Sequence, residues 1–198
     1  MRKILTALFV FALAACSICA SAENSEHTKL PAYRYSGDDP IIGAVANYIA
    51  ETTPEYYDSS KITVAIPAPV ILKTVMPDDT HADVFGAFWH MRYERQSTLL
   101  ISVSGGEAAG IMHLVLTDDV WSVASVEIAG DGTDYAKDIR RFCDGDKVLE
   151  SAYFSSADIR QDYVKSIRTQ FIRDYVEANG LEITAYQDPY WDPIKLFE

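Results

Sequence analysis

The chain is short of cysteine, of basic residues and of long apolar runs, and each shortage narrows what it can be. Of its three cysteines, Cys16 and Cys19 lie in the N-terminal export segment, which leaves Cys143 alone in the rest of the sequence. No internal disulfide can then close, and packing must supply the stability. Cys143 follows Ile139 and Phe142 on a helical pattern and reads as a small buried hydrophobe. Lys and Arg number 17 against 29 Asp and Glu, a net charge of −12. A nucleic-acid surface needs a basic patch. The Arg140-Arg141 pair stands between Asp138 and Asp144, so no nucleic-acid partner is expected. The one long apolar run, residues 4–15, falls short of the roughly 20 residues of a membrane-spanning helix.

That run belongs to an export signal. Arg2 and Lys3 precede it as a positive flank, and two cleavage patterns follow. Leu13-Ala14-Ala15-Cys16 resembles the lipobox of bacterial lipoproteins, in which the cysteine sulfur takes the lipid. Ala20-Ser21-Ala22 is an A-x-A site that would release a chain beginning at Glu23. The expectation is an exported protein, either a periplasm-facing outer-membrane lipoprotein lipidated on Cys16 or a soluble periplasmic or secreted one. Membrane contact would come only through the lipid. Cys16 and Cys19 have CxxC spacing but lie inside this segment, so no redox or metal role is assigned to them. Cleavage after residue 22 removes Arg2 and Lys3 and no acid, taking the charge from −12 to −14.

Residues 23–37 are polar and aperiodic and read as a tether or an N-terminal arm, followed by a single α+β domain over 38–198. Asp39 and Pro40 have the chemistry of a helix start, and Ile41, Ile42, Val45, Tyr48 and Ile49 make one apolar face. The helix should end before Pro54. KITVAIPAPVILKTVMP is β-branched but interrupted by Pro67 and Pro69, which predicts a broken, bulged or edge strand. Residues 84–128 read as an antiparallel meander of four strands, VFGAFWHMRYE, TLLISVS, GIMHLVLT and VWSVASVEI. Large apolar groups on both faces predict a covered or curled sheet. Tyr135, Ile139 and Phe142 mark a short helix. A long one over residues 156–178 carries the stripe Ile159, Tyr163, Ile167, Phe171, Ile172 and Tyr175 and stops at Gly180. The tail, with Tyr186, Tyr190 and Trp191, should pack back on the domain. The expected architecture is a curved antiparallel sheet of about four strands plus an edge strand, packed on an N-terminal helix and a long C-terminal helix.

FWHMRYERQSTLLISVSGGEAAGIMHL, with VASVEIAGDGTDY, QFIRDYVEANGLEITAYQD and YWDP, resembles a group of secreted proteins of host-associated bacteria in the nuclear transport factor two-like superfamily. The resemblance spans residues 40–198. It implies a cystatin-like cone and an exported location, and it brings no activity and no catalytic residues.

The candidate chemistry is sparse. SGGEAAGIMHL has the glycines of a phosphate loop, but a strand follows, no Lys does, and Glu107 would repel phosphate. Gly105-Gly106 between strands predicts a β-turn instead. Ser104 with His113 lacks a G-x-S-x-G elbow and an orienting acid. His90 and His113, on the first and third meander strands, would stand roughly 10 Å apart on two walls of a cone interior. Trp89, Tyr93 and Trp121 are candidates to line a ligand pocket. Asp131, Asp134, Asp138 and the Asp144-Gly145-Asp146 run depart from an EF-hand loop. Asp134 reads as a helix N-cap and the Gly-Asp pairs as turns, so neither metal nor cofactor is called for. Three functions stand on this basis. The first is a non-enzymatic envelope or periplasmic module binding an unidentified small molecule or protein. Its rivals are a cone-pocket isomerase or hydrolase using His90 and His113, and an inhibitor acting through surface loops.

Overall fold

The computed structural model describes residues 30–56, 58, 60–155 and 157–197, with the side chains of 157–160 excepted. The export signal, Cys16, the first part of the tether and the Ile159 side chain lie outside the described residues. From Leu30 on, the tether reading gives way to packing. Leu30 and Tyr33 are buried with Tyr175, Tyr186 and Leu196, and the Tyr175 hydroxyl donates to the Pro31 carbonyl at 2.7 Å.

Helix α1 (Pro40–Thr52) forms where its capping chemistry places it. The Asp39 carboxylate accepts from the N–H groups of Ile41 and Ile42 at 2.9 and 3.0 Å, so two donors that the helix itself leaves unpaired are satisfied. Val45 and Ile49 on its buried face meet Ala82, Val84, Phe88, Met112 and Leu114 of the sheet.

Among the described residues the sheet has seven strands and is open and mixed. Pro67 splits the proline-rich stretch into β1 (Thr63–Ala65) and β2 (Ala68–Asp78), both pairing with β3 (His81–Gln96). The long strand β4 (Leu99–Thr117) pairs with β3 along its length, and Asp118 and Asp119 turn the chain into β5 (Val120–Ile128). Both aspartates have positive φ, the combination a tight two-residue hairpin needs.

The expected meander differs in one decisive place. TLLISVS and GIMHLVLT are a single strand, and Gly105-Gly106 is not a turn. Neither glycine has positive φ, and both sit in register opposite Met91 and His90. Their missing side chains leave room for neighbours rather than for a bend. A Cβ on Gly105 would overlap the Met91 sulfur, and one on Gly106 would come within 2.8 Å of the His90 ring. The irregularity is instead a bulge, where Arg92 faces Ser104 and Tyr93 faces Ser102.

Helix α2 (Thr133–Cys143) follows the sheet, with Ile139, Phe142 and Cys143 buried. Its cap position is Gly132, with no side-chain cap, and Asp134 lies in its first turn. Asp146, read as part of a turn, caps a further helix α3 (Lys147–Tyr153), accepting from Val148 and Leu149. Helix α4 (Ala157–Ala178) runs on to Gly180, which takes φ +58°. Its buried stripe is Val164, Arg168, Phe171, Ile172, Tyr175 and Val176, whereas Tyr163 is about half exposed. The tail returns as β6 (Ala185–Gln187), parallel to β4, and β7 (Ile194–Lys195), antiparallel to β6, which makes the sheet mixed. Tyr186 and Leu196 are fully buried there, while Tyr190 and Trp191 stand out in solvent.

Candidate functional site

His90 and His113 are not brought together. Side chains alternate between sheet faces. Registers Gly106↔His90 and His113↔Asp83 put the two histidines seven residues apart along β4, an odd number. They therefore project from opposite faces and lie about 23 Å apart at roughly 3.3 Å per residue. The shorter expectation assumed a turn at the glycines, which would have set the third strand two strand spacings from the first, with the second between them. Ser104, opposite Arg92, is likewise nine residues from His113 on one extended strand.

His113 is occupied in an ion-pair chain. Its Nδ1 lies 2.7 Å from Asp83 and its Nε2 3.2 Å from Glu127, whose other oxygen accepts from Arg141 at 2.7 Å. Burial works to lower the His113 pKa, but the two carboxylates outweigh it and the net shift is upward. The imidazole ties β3, β4 and β5 together, and Arg141, itself 3.7 Å from Asp138, extends the link to α2. A histidine with both nitrogens engaged by carboxylates is a structural link rather than an available base. Because its folded pKa is raised, it stabilises the fold fully below its unfolded value near 6.5, and this contribution fades as pH climbs past the folded value. Thermal melts from pH 5.5 to 8.5 should show the midpoint falling as pH rises. His113→Gln should flatten that limb, and an unchanged pH profile in the variant would refute the assignment.

The three aromatic candidates do not form one pocket. Tyr93 is sealed in the core, where its hydroxyl accepts from Arg168 at 3.1 Å, and burial pushes its pKa up to about 12. Trp121 packs with the α1 cluster on the opposite sheet face from Trp89, which borders Val70, Ala87 and Val164. The Trp89 indole N–H is buried and without a hydrogen-bond partner among the described residues. Cys143 is buried, and burial raises its thiol pKa, so it is a poor nucleophile. Among the described residues no group of three or more His, Cys, Asp or Glu is arranged to hold a metal ion. Asp138 is used in holding the Gly130 N–H at 3.0 Å, and Asp146 in capping α3 and binding Lys73.

The open space lies elsewhere, on the side of the sheet that carries α2 and α3. A cleft of about 650 Å³ is bounded by residues 107–109 of β4, residues 128–131 after β5, and Tyr135, Tyr153, Phe154 and Ser155. Glu107, Tyr153 and Ser155 also line a smaller recess of about 90 Å³, whose other walls include Val70, Leu72, Ala87 and Tyr163. Tyr153 fixes the floor. Its buried hydroxyl donates to the Gly110 carbonyl at 2.7 Å, which holds α3 against β4, and burial raises its pKa so that it remains a donor. Phe154 is braced by Tyr135 edge-on and by Arg140 over its ring. The walls thus combine two carboxylates, Glu107 and Asp131, with aromatic and small apolar groups, a lining suited to binding. None of Tyr135, Tyr153 and Phe154 stood out as a ligand residue in the sequence. The available signal was the crowding of Gly and Ala over residues 105–110, where backbone comes close to a neighbour. Set against protein-family models, curated protein sequences and solved structures, the chain matches none.

Proposed function

We propose that the protein is an exported, non-enzymatic binding module of the bacterial envelope or periplasm, and that its ligand occupies the cleft between β4, the 128–131 segment and α3. The cleft itself carries this reading. It is roomy enough for a small molecule or a few residues of peptide, and it sets the polar groups of Glu107, Asp131 and Ser155 beside the rings of Tyr135 and Phe154. The address rests on Arg2, Lys3, the apolar run and the two processing patterns, with lipidation on Cys16 or release at Glu23 as alternative outcomes. An enzyme built on His90 and His113 loses its basis, since the two stand on opposite sheet faces.

Native mass spectrometry of the protein purified from its own membrane and soluble fractions tests the reading. The expected result is a small-molecule or peptide adduct that dissociates on denaturation and disappears in Ser155→Trp, where a bulky ring fills the cleft mouth. The same spectra report the N-terminus, as a lipid-bearing chain from Cys16 or a bare one from Glu23. An adduct-free mass from both fractions would overturn the cleft reading. It would favour an interaction protein acting through residues 188–193, where Tyr190 takes φ +70° and is exposed beside Trp191.

A further inference from the structure

Strand β4 is central at both ends and an edge in the middle. It pairs with β5 from Gly110 to Thr117 and with β6 from Leu99 to Ile101, and Ala129 adds one bond to the Ala109 carbonyl. Between these, residues 102–108 have β3 as their strand neighbour on one side and, among the described residues, no strand on the other. At roughly 3.3 Å per residue the gap is about 23 Å long. It opens into the cleft at its lower end, where residues 107–109 and 128–131 form the walls.

We infer that the ligand is an extended peptide that adds a strand to β4 in this gap; the inference rests on the cleft reading above and names its ligand class. Backbone groups point alternately to the two sides of a strand. The Ala109 carbonyl faces the β5 side, so the Gly105 N–H and carbonyl, four residues away, face the gap. Ser104 and Gly105 are exposed, and Ser104, Gly105, Gly106 and Ala108 put no bulk in the way of an approaching backbone. Ser102, at the upper end, is buried beside Asp188, so the accessible edge begins beyond it. An edge without a strand partner is a feature that proteins ordinarily cover or charge, and strand addition is the mode of recognition it permits. The gap is recessed between β5 and β6, which excludes the sheet edge of a second folded copy and admits a free segment of six or seven residues. Asp131 lines the adjoining cleft on a chain of net charge −12, so a basic side chain is favoured there.

A random octapeptide library displayed on phage, panned on the protein as the cell exports it, provides the probe. The expected outcome is enrichment of extended sequences with a basic residue at one fixed position. Synthetic copies of the enriched peptides should slow amide exchange within 103–108. N-methylation of alternate peptide residues in one of the two registers should weaken binding at least tenfold. Absence of enrichment, enrichment without protection of 103–108, or indifference to N-methylation in both registers would each overturn the inference. A small-molecule adduct in the native spectra alongside any of these would leave the cleft reading intact, whereas an adduct-free mass would remove both.

Discussion

Gly110→Ala is expected to cost more than about 3 kcal/mol, enough to leave the protein largely unfolded if its stability is ordinary. Gly110 pairs with Gly86 across β3 and β4 and with Ile128 across β4 and β5. A Cβ at Gly110 would overlap the Glu127 carbonyl oxygen and stand 3.1 Å from the Ile128 Cα. These are backbone atoms in a hydrogen-bonded ladder, so they cannot swing aside as a side chain can. The neighbouring change Gly106→Ala is the control. Its Cβ meets only the half-buried end of the His90 ring, at 2.8 Å, and that ring can rotate away. A loss below about 1 kcal/mol is expected there. Urea unfolding of both variants decides the matter. A mild Gly110→Ala would mean that β5 does not lie this close to β4.

Arg168→Met is expected to lose about 3 kcal/mol, again measured by urea unfolding at pH 7. The buried guanidinium donates two bonds of 2.8 Å to Asp188 and one of 3.1 Å to the Tyr93 hydroxyl, and lies over the Tyr186 ring at 5.0 Å. Methionine fills the space but leaves the Asp188 carboxylate and the Tyr93 hydroxyl without their donor. Asp188 is 34% exposed, which keeps the cost toward the low end for a broken buried pair. Changing Asp188 to Asn in the same chain should recover part of the loss. The pair also sets an acid limb. Its hydrogen bonds to Arg168 hold the Asp188 carboxyl below the usual carboxylate range, despite the opposing effect of burial. Its contribution is therefore complete above the unfolded value near 4 and is lost as pH falls through the lower folded value. Stability of the unaltered protein should drop below pH 4 more steeply than that of Arg168→Met. Equal acid slopes, or a loss below about 1 kcal/mol at pH 7, would show that the pair does not anchor the 188–193 loop to α4.

These two substitutions fall where sequence reading was weakest. In the sequence Gly110 opens the run GIMHLVLT just after the expected turn at Gly105-Gly106, and Arg168 lies outside the apolar stripe of the long helix. Pattern alone treats glycine between apolar runs as punctuation and arginine as solvated. Both rules fail for the same reason, because a close neighbour far along the chain alters what the residue does. The candidate site failed with them. Tyr153 and Phe154 end a seven-residue helix too short to show a period, and residues 128–131 matter only because β5 stops beside the edge of β4.

What the sequence determined by itself was local. Asp39 and Pro40 start α1, Pro67 breaks the first strand pair, Asp118-Asp119 turns β4 into β5, and Gly180 stops α4. Each is settled by the φ range, hydrogen-bonding groups or sterics of residues a few positions apart. The tertiary structure alone decided that β4 runs unbroken through its glycines, that His90 and His113 face away from each other, and that β6 joins in parallel. It also placed the cleft and the bare stretch of β4 together. Those outcomes depend on which backbones lie side by side, and strand pairing over long loops leaves no periodic trace in the residues it joins.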